Sequence, residues 1–82
     1  MYKATIFVTL RPSILDPKGK ASHHALQSLG MTAVKGVRMG KLIEMDIDAS
    51  SEDEARSIAV DSCEKLLANV VMENYHIDIK KA

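Results

Sequence analysis

Residues 2–10, YKATIFVTL, decide the fold class. Ala4, Ile6, Val8 and Leu10 recur at every second position, with Lys3, Thr5, Phe7 and Thr9 between them. Successive side chains of an extended chain point to opposite faces, so this alternation predicts a strand with one face turned to a core. The connection Arg11–Leu15 follows and holds Pro12. Both prolines of the chain fall between residues 12 and 17, in one loop. Asp16-Pro17 then opens a helix. An aspartate accepts hydrogen bonds at the N-cap, and proline is pre-organised for the first helical position. The helix is expected to run to Leu29, with Gly30 taking the left-handed conformation that ends it. Ala21, Ser22, Ala25, Leu26 and Leu29 cover one flank, and Lys20, His23, His24 and Gln27 the other.

Residues 33–48 read as extended. Gly36 and Gly40 interrupt them, so two strands joined near Gly40, or one long bent strand, both fit. Ile43, Met45 and Ile47 alternate with Leu42, Glu44, Asp46 and Asp48. Ser51 to Glu54 matches a capping box and starts a second helix, expected to reach Ala68. Ala55, Ile58, Ala59, Ser62, Cys63 and Leu66 share its inner flank, Asp61 and Glu64 lie outside, and Lys65 complements the helix dipole near the end. Val70 to Ile79 is the last strand, with Tyr75, Ile77 and Ile79 on one face. The order is β-α-β-β-α-β, a ferredoxin-like α+β fold over residues 1–82 as one domain. Right-handed crossovers place both helices on one face of an antiparallel sheet. The other face, with Phe7, Leu42 and Met72, is left open as a candidate association surface.

The whole chain has 82 residues, 11 Lys and Arg against 11 Asp and Glu, 46% apolar and 4% aromatic residues. The apolar share suits a folded core. Zero net charge and few aromatics speak against nucleic-acid binding. One cysteine excludes an internal disulfide framework. No apolar run reaches the roughly 18 residues of a membrane span, and the N-terminal residues lack a signal-peptide pattern, so a soluble cytoplasmic protein is expected. A domain of this size buries only about 60% of its unfolded surface, which favours association with other chains.

The reactive groups do not assemble into a site. Cys63 lies in the second helix on its inward flank, without the exposed, electropositive setting of a nucleophile, and reads as a packing residue. His23 and His24, adjacent on a helix, point about 100° apart and cannot easily share a metal. Glu44, Asp46 and Asp48 stand nearly 7 Å apart along one strand face, too wide for a tight chelate. Gly19 between Lys18 and Lys20 is not a phosphate-binding loop. Arg38, Gly40 and Lys41 can hold a partner's phosphate or carboxylate, or form a bend with solvated charges. No catalytic residue, cofactor site or metal site is expected.

Three stretches, LDPKGKASHHALQSLG, VKGVRMGKLIEMDID and CEKLLANVV with Glu73-Asn74-Tyr75 after it, together resemble the PurS-type small subunit of phosphoribosylformylglycinamidine synthase. The similarity covers nearly the whole chain in order and spacing; Val70 stands where the family often has proline, and Lys18 where it often has glutamine. The resemblance implies a non-catalytic subunit of a complex that converts formylglycinamide ribonucleotide, ATP and glutamine to the amidine. In such a complex a large ligase subunit uses ATP and Mg, and a glutaminase subunit releases ammonia. The small subunit forms a homodimer or higher oligomer and bridges the two, so that ammonia is passed on. Asp16, Pro17 and Gly19 then shape a loop at the first helix. Arg38, Gly40 and Lys41 are subunit-contact candidates, as are Phe7 and Leu42 of the open face and the loop residues Asp16, Pro17 and Gly19. The alternative is an ACT-like module binding a small metabolite at a dimer interface.

Overall fold

A computed structural model describes residues 1–82. The elements are β1 (Tyr2–Leu10), α1 (Pro17–Ser28), β2 (Gly40–Ile47), α2 (Glu52–Ser62) and β3 (Glu73–Lys81), with a π-helical turn, Cys63–Leu67, extending α2. The strands form one antiparallel sheet in the order β2-β1-β3. Ile6 sits opposite Ile43 on one side and Ile77 on the other; Ala4 sits between Met45 and Ile79. One row of alternate residues therefore carries the core. Ala4, Ile6 and Val8 are fully buried beneath Ala55, Ala59 and Cys63 of the helix. Small residues on α2 let the helix lie close to the sheet. Burial of side chains such as Ile6 and Val8 is worth roughly 1.5–3 kcal/mol each.

Both helix starts form as their sequences predict. The Asp16 side chain accepts from Gly19 N, and the Ser51 side chain from Glu54 N. Glu54 reaches back to Ser50 rather than to the cap residue itself. Gly30, at φ 88°, ends α1 as expected. The last strand begins at Glu73, not Val70, because Asn69 turns the chain: its carbonyl accepts from Met72 N and Glu73 N, and its side chain from Val71 N. Met72 thus lies in that turn and not on the open sheet face. Helical structure does reach Leu67, but the last turn is widened, with Ala68 N donating to Cys63 O at 3.1 Å.

The ferredoxin-like α+β fold carries one departure from the expected element order. Residues 33–39 form no strand, so the sheet has three strands rather than four. The physical reason lies in where their polar groups are satisfied. The Val34 carbonyl lies 2.8 Å from His23 Nε2 and accepts from Gln27 Nε2 at 2.8 Å, while Met39 N donates to Asp16 Oδ2 at 2.6 Å. The segment is strapped to α1 and has no neighbouring strand. Together they form an arm.

The arm stands away from the body. α2 packs on β1 and β3, whereas α1 has no comparable packing on the sheet or on α2. Within α1 only Gly19 is buried. The molecule measures 51 × 26 × 14 Å, long and thin for 82 residues.

Candidate assembly surfaces

Two surfaces emerge from the placement of the predicted residues. The first is the sheet face opposite α2. On β1 it presents Lys3, Thr5, Phe7 and Thr9, whose neighbours across the strands are Asp46, Glu44, Leu42 and Gly40 on β2. On β3 the neighbours are Lys80, Asp78, His76 and Asn74. Phe7 is 45% exposed and Leu42 56% exposed, an apolar pair in direct cross-strand register. The His76 ring lies tilted beside Phe7, with centroids 6.4 Å apart. Around the pair, Lys3 Nζ meets Glu44 at 3.2 Å and His76 Nε2 meets Asp78 at 3.0 Å. An apolar centre rimmed by charge is the composition of a protein contact surface.

The second surface is a groove of about 420 Å³ on the helix side of the sheet, at the base of the arm. Asp16, Pro17, Met39, Gly40, Lys41 and Glu73 are among its lining residues. Asp16 is its structural centre. Its carboxylate accepts from Gly19 N at 2.9 Å and from Met39 N at 2.6 Å, joining the helix start to the residue before β2. These two bonds, the Met39 one first, hold its carboxyl below the usual aspartate range, with the Arg38 charge adding to them against the opposing effect of burial. Arg38 braces the same corner from outside: its guanidinium donates to the carbonyls of Leu10, Arg11 and Ile14.

Close backbone approach explains both glycines here. A Cβ on Gly19 would collide with the Val37 carbonyl, and one on Gly40 would sit 2.6 Å from the Val8 carbonyl. Gly40 has no positive φ, so its requirement is one of space and not of backbone conformation. Lys41 Nζ lies 3.5 Å from the Leu67 carbonyl and 3.9 Å from the Glu73 carboxylate, linking the groove to the end of α2.

The eight contact candidates therefore divide. Asp16, Pro17, Gly40 and Lys41 line the groove, Gly19 and Arg38 build its wall, and Phe7 and Leu42 lie on the other side of the sheet. Sequence reading missed Met39 and Glu73 in the groove and His76 beside Phe7. It also missed that His23 and Gln27 act together on the Val34 carbonyl, although their i, i+4 spacing puts them on one helix face.

The chemistry available is that of shape and contact. Burial pushes the Cys63 thiol up, with the Glu64 charge adding to it, which disfavours the thiolate. The Tyr75 hydroxyl donates to Glu64 at 2.9 Å, which raises its pKa as well. No three His, Cys, Asp or Glu side chains gather into a metal-binding group. No helix is long and apolar enough to cross a membrane.

Comparison with known proteins gives a consistent result. Residues 3–81 match the model of the PurS family, described as phosphoribosylformylglycinamidine (FGAM) synthase. The PurS subunit of phosphoribosylformylglycinamidine synthase from Bacillus subtilis is 42% identical over 99% of this chain and 95% of its own length. That from Synechocystis is 47% identical over 95% of this chain and 78% of its own length. Among solved structures, B. subtilis PurS superposes with a TM-score of 0.90 at 42% identity, covering 99% of this chain and 100% of that one. A chain of the PurLQS structure from Thermotoga maritima superposes at 0.88 with 32% identity, covering 96% of each.

Proposed function

This chain belongs to the PurS family, and on that premise we propose that it bridges the ligase and glutaminase subunits of phosphoribosylformylglycinamidine synthase and supports the passage of ammonia between them. It is a small subunit of that synthase, in purine biosynthesis. The complex joins formylglycinamide ribonucleotide and glutamine nitrogen at the expense of ATP. On this reading ATP and Mg belong to the ligase subunit, the bond-breaking residues lie outside this chain, and the work is done in the cytoplasm. The observation that carries the reading is the family match over residues 3–81. The geometry supports it. The Cys63 thiol is buried and the Tyr75 hydroxyl is paired with Glu64, while an apolar, charge-rimmed sheet face and a protruding arm are left for contact.

The chain also forms a homodimer or higher oligomer in this reading, because its own core is small. Only 12 of 82 residues are buried, and large apolar side chains such as Leu29, Leu66 and Phe7 stay exposed. Phe7 and Leu42 on the sheet face, and the Asp16–Arg38–Lys41 corner, are the surfaces assigned to subunit contact. The comparisons give the ACT-like alternative no support.

Reconstitution tests the proposal. The isolated chain is expected to show neither synthase nor glutaminase turnover. Added to the purified ligase and glutaminase subunits, it is expected to raise glutamine-dependent amidine formation. Turnover that stays the same with and without the chain contradicts the reading. Tight calorimetric binding of an amino acid or nucleotide by the isolated chain, with no effect on turnover, favours the metabolite-binding module instead.

A further inference from the structure

A second cleft, of about 350 Å³, lies inside the arm, between α1 and the return segment 33–39. Lys20 and His23 line it from α1, and Gly36, Val37 and Arg38 from the return segment. Asp16 is the one residue it shares with the groove at the base of the arm. Its volume falls within the roughly 300–1,000 Å³ of clefts that take small ligands.

The cleft gathers positive charge that nothing in the chain neutralises. Between residues 11 and 41 stand six Lys and Arg against one acid, Asp16. That acid is buried, with one carboxylate oxygen accepting from Gly19 N and the other from Met39 N, so it presents little charge to the cleft. The ion pairs of the molecule are Lys3–Glu44, Lys41–Glu73 and His76–Asp78, and neither Lys20 nor Arg38 takes part in one. Arg38 is nevertheless held in place. The carbonyls of Leu10, Arg11 and Ile14 accept from its guanidinium, and these neutral acceptors fix the group without cancelling its charge. A guanidinium has further N–H donors beyond those three. The His23 ring is fixed as well, with Nε2 lying 2.8 Å from the Val34 carbonyl. A carbonyl only accepts, so Nε2 carries the hydrogen and Nδ1 is left over. The backbone N–H groups of Gly36 and Val37 donate to no acceptor in the chain. A Cβ on Gly36 would meet nothing within 4 Å, so a ligand can come close to the backbone there.

We propose that the Lys20–His23–Arg38 cleft is an anion site that holds a phosphate group, either inorganic phosphate or the phosphate of a small monoester. Two cations without counter-ions, standing with unspent backbone N–H groups around one concavity, are the donor set that anions take. The donors come from two walls, Lys20 and His23 on α1 and residues 36–38 on the return segment. A phosphate group offers three acceptor oxygens and can meet both walls at once, whereas the two oxygens of a carboxylate lie in one plane. Its charge of nearly two also answers the two cations, where a carboxylate answers one. A phosphate seated there ties α1 to residues 33–39, which the chain itself joins through the Val34 carbonyl and the Asp16 carboxylate. The inference rests on the cleft and not on the synthase reading, so its test is made on the chain alone.

Titration of the full chain, followed by its backbone amide NMR signals, decides it. Inorganic phosphate and ribose 5-phosphate are each added, with sodium acetate at matched ionic strength for comparison. Phosphate is expected to shift the amides of Lys20, His23, Gly36, Val37 and Arg38 and to saturate with a Kd on the order of 1 mM or tighter. Acetate is expected to bind at least about fivefold more weakly, having one charge in place of nearly two. A ribose phosphate that binds more tightly than phosphate supports the site as one for monoesters, and one that binds no more tightly supports it as a site for the free ion. Lys20→Gln, at an exposed position, is expected to weaken phosphate about three- to tenfold. Lys65→Gln, exposed and outside the cleft, is expected to change nothing. Shifts that never saturate, shifts spread over the lysines of the body, acetate binding as tightly as phosphate, or affinity untouched by Lys20→Gln each overturn the proposal. Amides indifferent to phosphate, with Lys20→Gln weakening assembly with the synthase subunits, would make the cleft a seat for a partner's carboxylate and overturn it too. The comparison of phosphate with acetate needs no variant, so poor folding of a variant leaves the proposal falsifiable. Reconstituted turnover can succeed or fail independently of the phosphate titration.

Discussion

The body and the arm use the same kinds of residue and end in opposite states. In the body, alternate positions of β1 meet small residues of α2, and Ile6, Val8, Ala59 and Cys63 lose all contact with solvent. In the arm, α1 is capped, terminated and strapped as well as any helix, yet Leu29 is 73% exposed and only Gly19 is buried. Local signals suffice to make a helix; only a facing surface makes it part of a core. The body carries its own facing surface, and α1 has no comparable one within the chain.

This contrast can be broken or sharpened by mutation. The largest effect is expected at Ile6→Ala, which opens a cavity under α2 and should cost about 2–5 kcal/mol in denaturant unfolding. Leu29→Ala on the arm should stay within about 0.5 kcal/mol for the dilute chain. Equal losses at the two sites would erase the distinction between body and arm. Next is Gly19→Ala, whose methyl would collide with the Val37 carbonyl and should cost about 1–3 kcal/mol while loosening the arm from its return segment. A neutral result would show that α1 and residues 33–39 can separate freely.

Smaller is Cys63→Ser, which places a hydroxyl among buried apolar neighbours. A loss of about 1 kcal/mol is expected, with reconstituted synthase turnover retained. Turnover abolished in a folded variant would make the thiol part of the chemistry. The smallest effect is that of pH on the joint between arm and body. Asp16 has its carboxyl held below the ordinary range, so the folded state favours the ionised form. Its contribution is therefore complete above roughly pH 4 and is lost as pH falls from there through the lowered value. Asp16→Asn should flatten that part of the acid-unfolding curve. An unchanged acid limb would mean that its two backbone hydrogen bonds do not favour the charged form.

Much of this was legible in the sequence because it is local. Alternation in residues 2–10, the Asp16-Pro17 start, the Gly30 stop and the Ser51 cap each depend on a few neighbouring residues, and each appears where expected. What the sequence did not disclose depends on contacts between distant residues. Residues 33–39 have the composition of a strand, but a strand needs a neighbour, and contacts of their backbone with the His23 and Gln27 side chains and with the accepting Asp16 carboxylate take its place. Ile58 and Leu66 keep the period of a buried flank while lying bare, since periodicity reports the direction of a side chain and not what stands opposite it. The candidate contact residues were named from the alternation of the strands, from the charge and glycine around Arg38–Lys41, and from the family resemblance. Their division between two faces follows from the register of β1 with β2, which no local pattern displays.

Amide hydrogen exchange tests the division between body and arm most directly. In the dilute chain, β1 and α2 amides should exchange slowly and α1 amides fast. On assembly, first with itself and then with the synthase subunits, protection should rise across α1 and residues 33–39 and change little in β1. An arm already as protected as the body in the dilute chain, or one that gains nothing on assembly, would contradict the account.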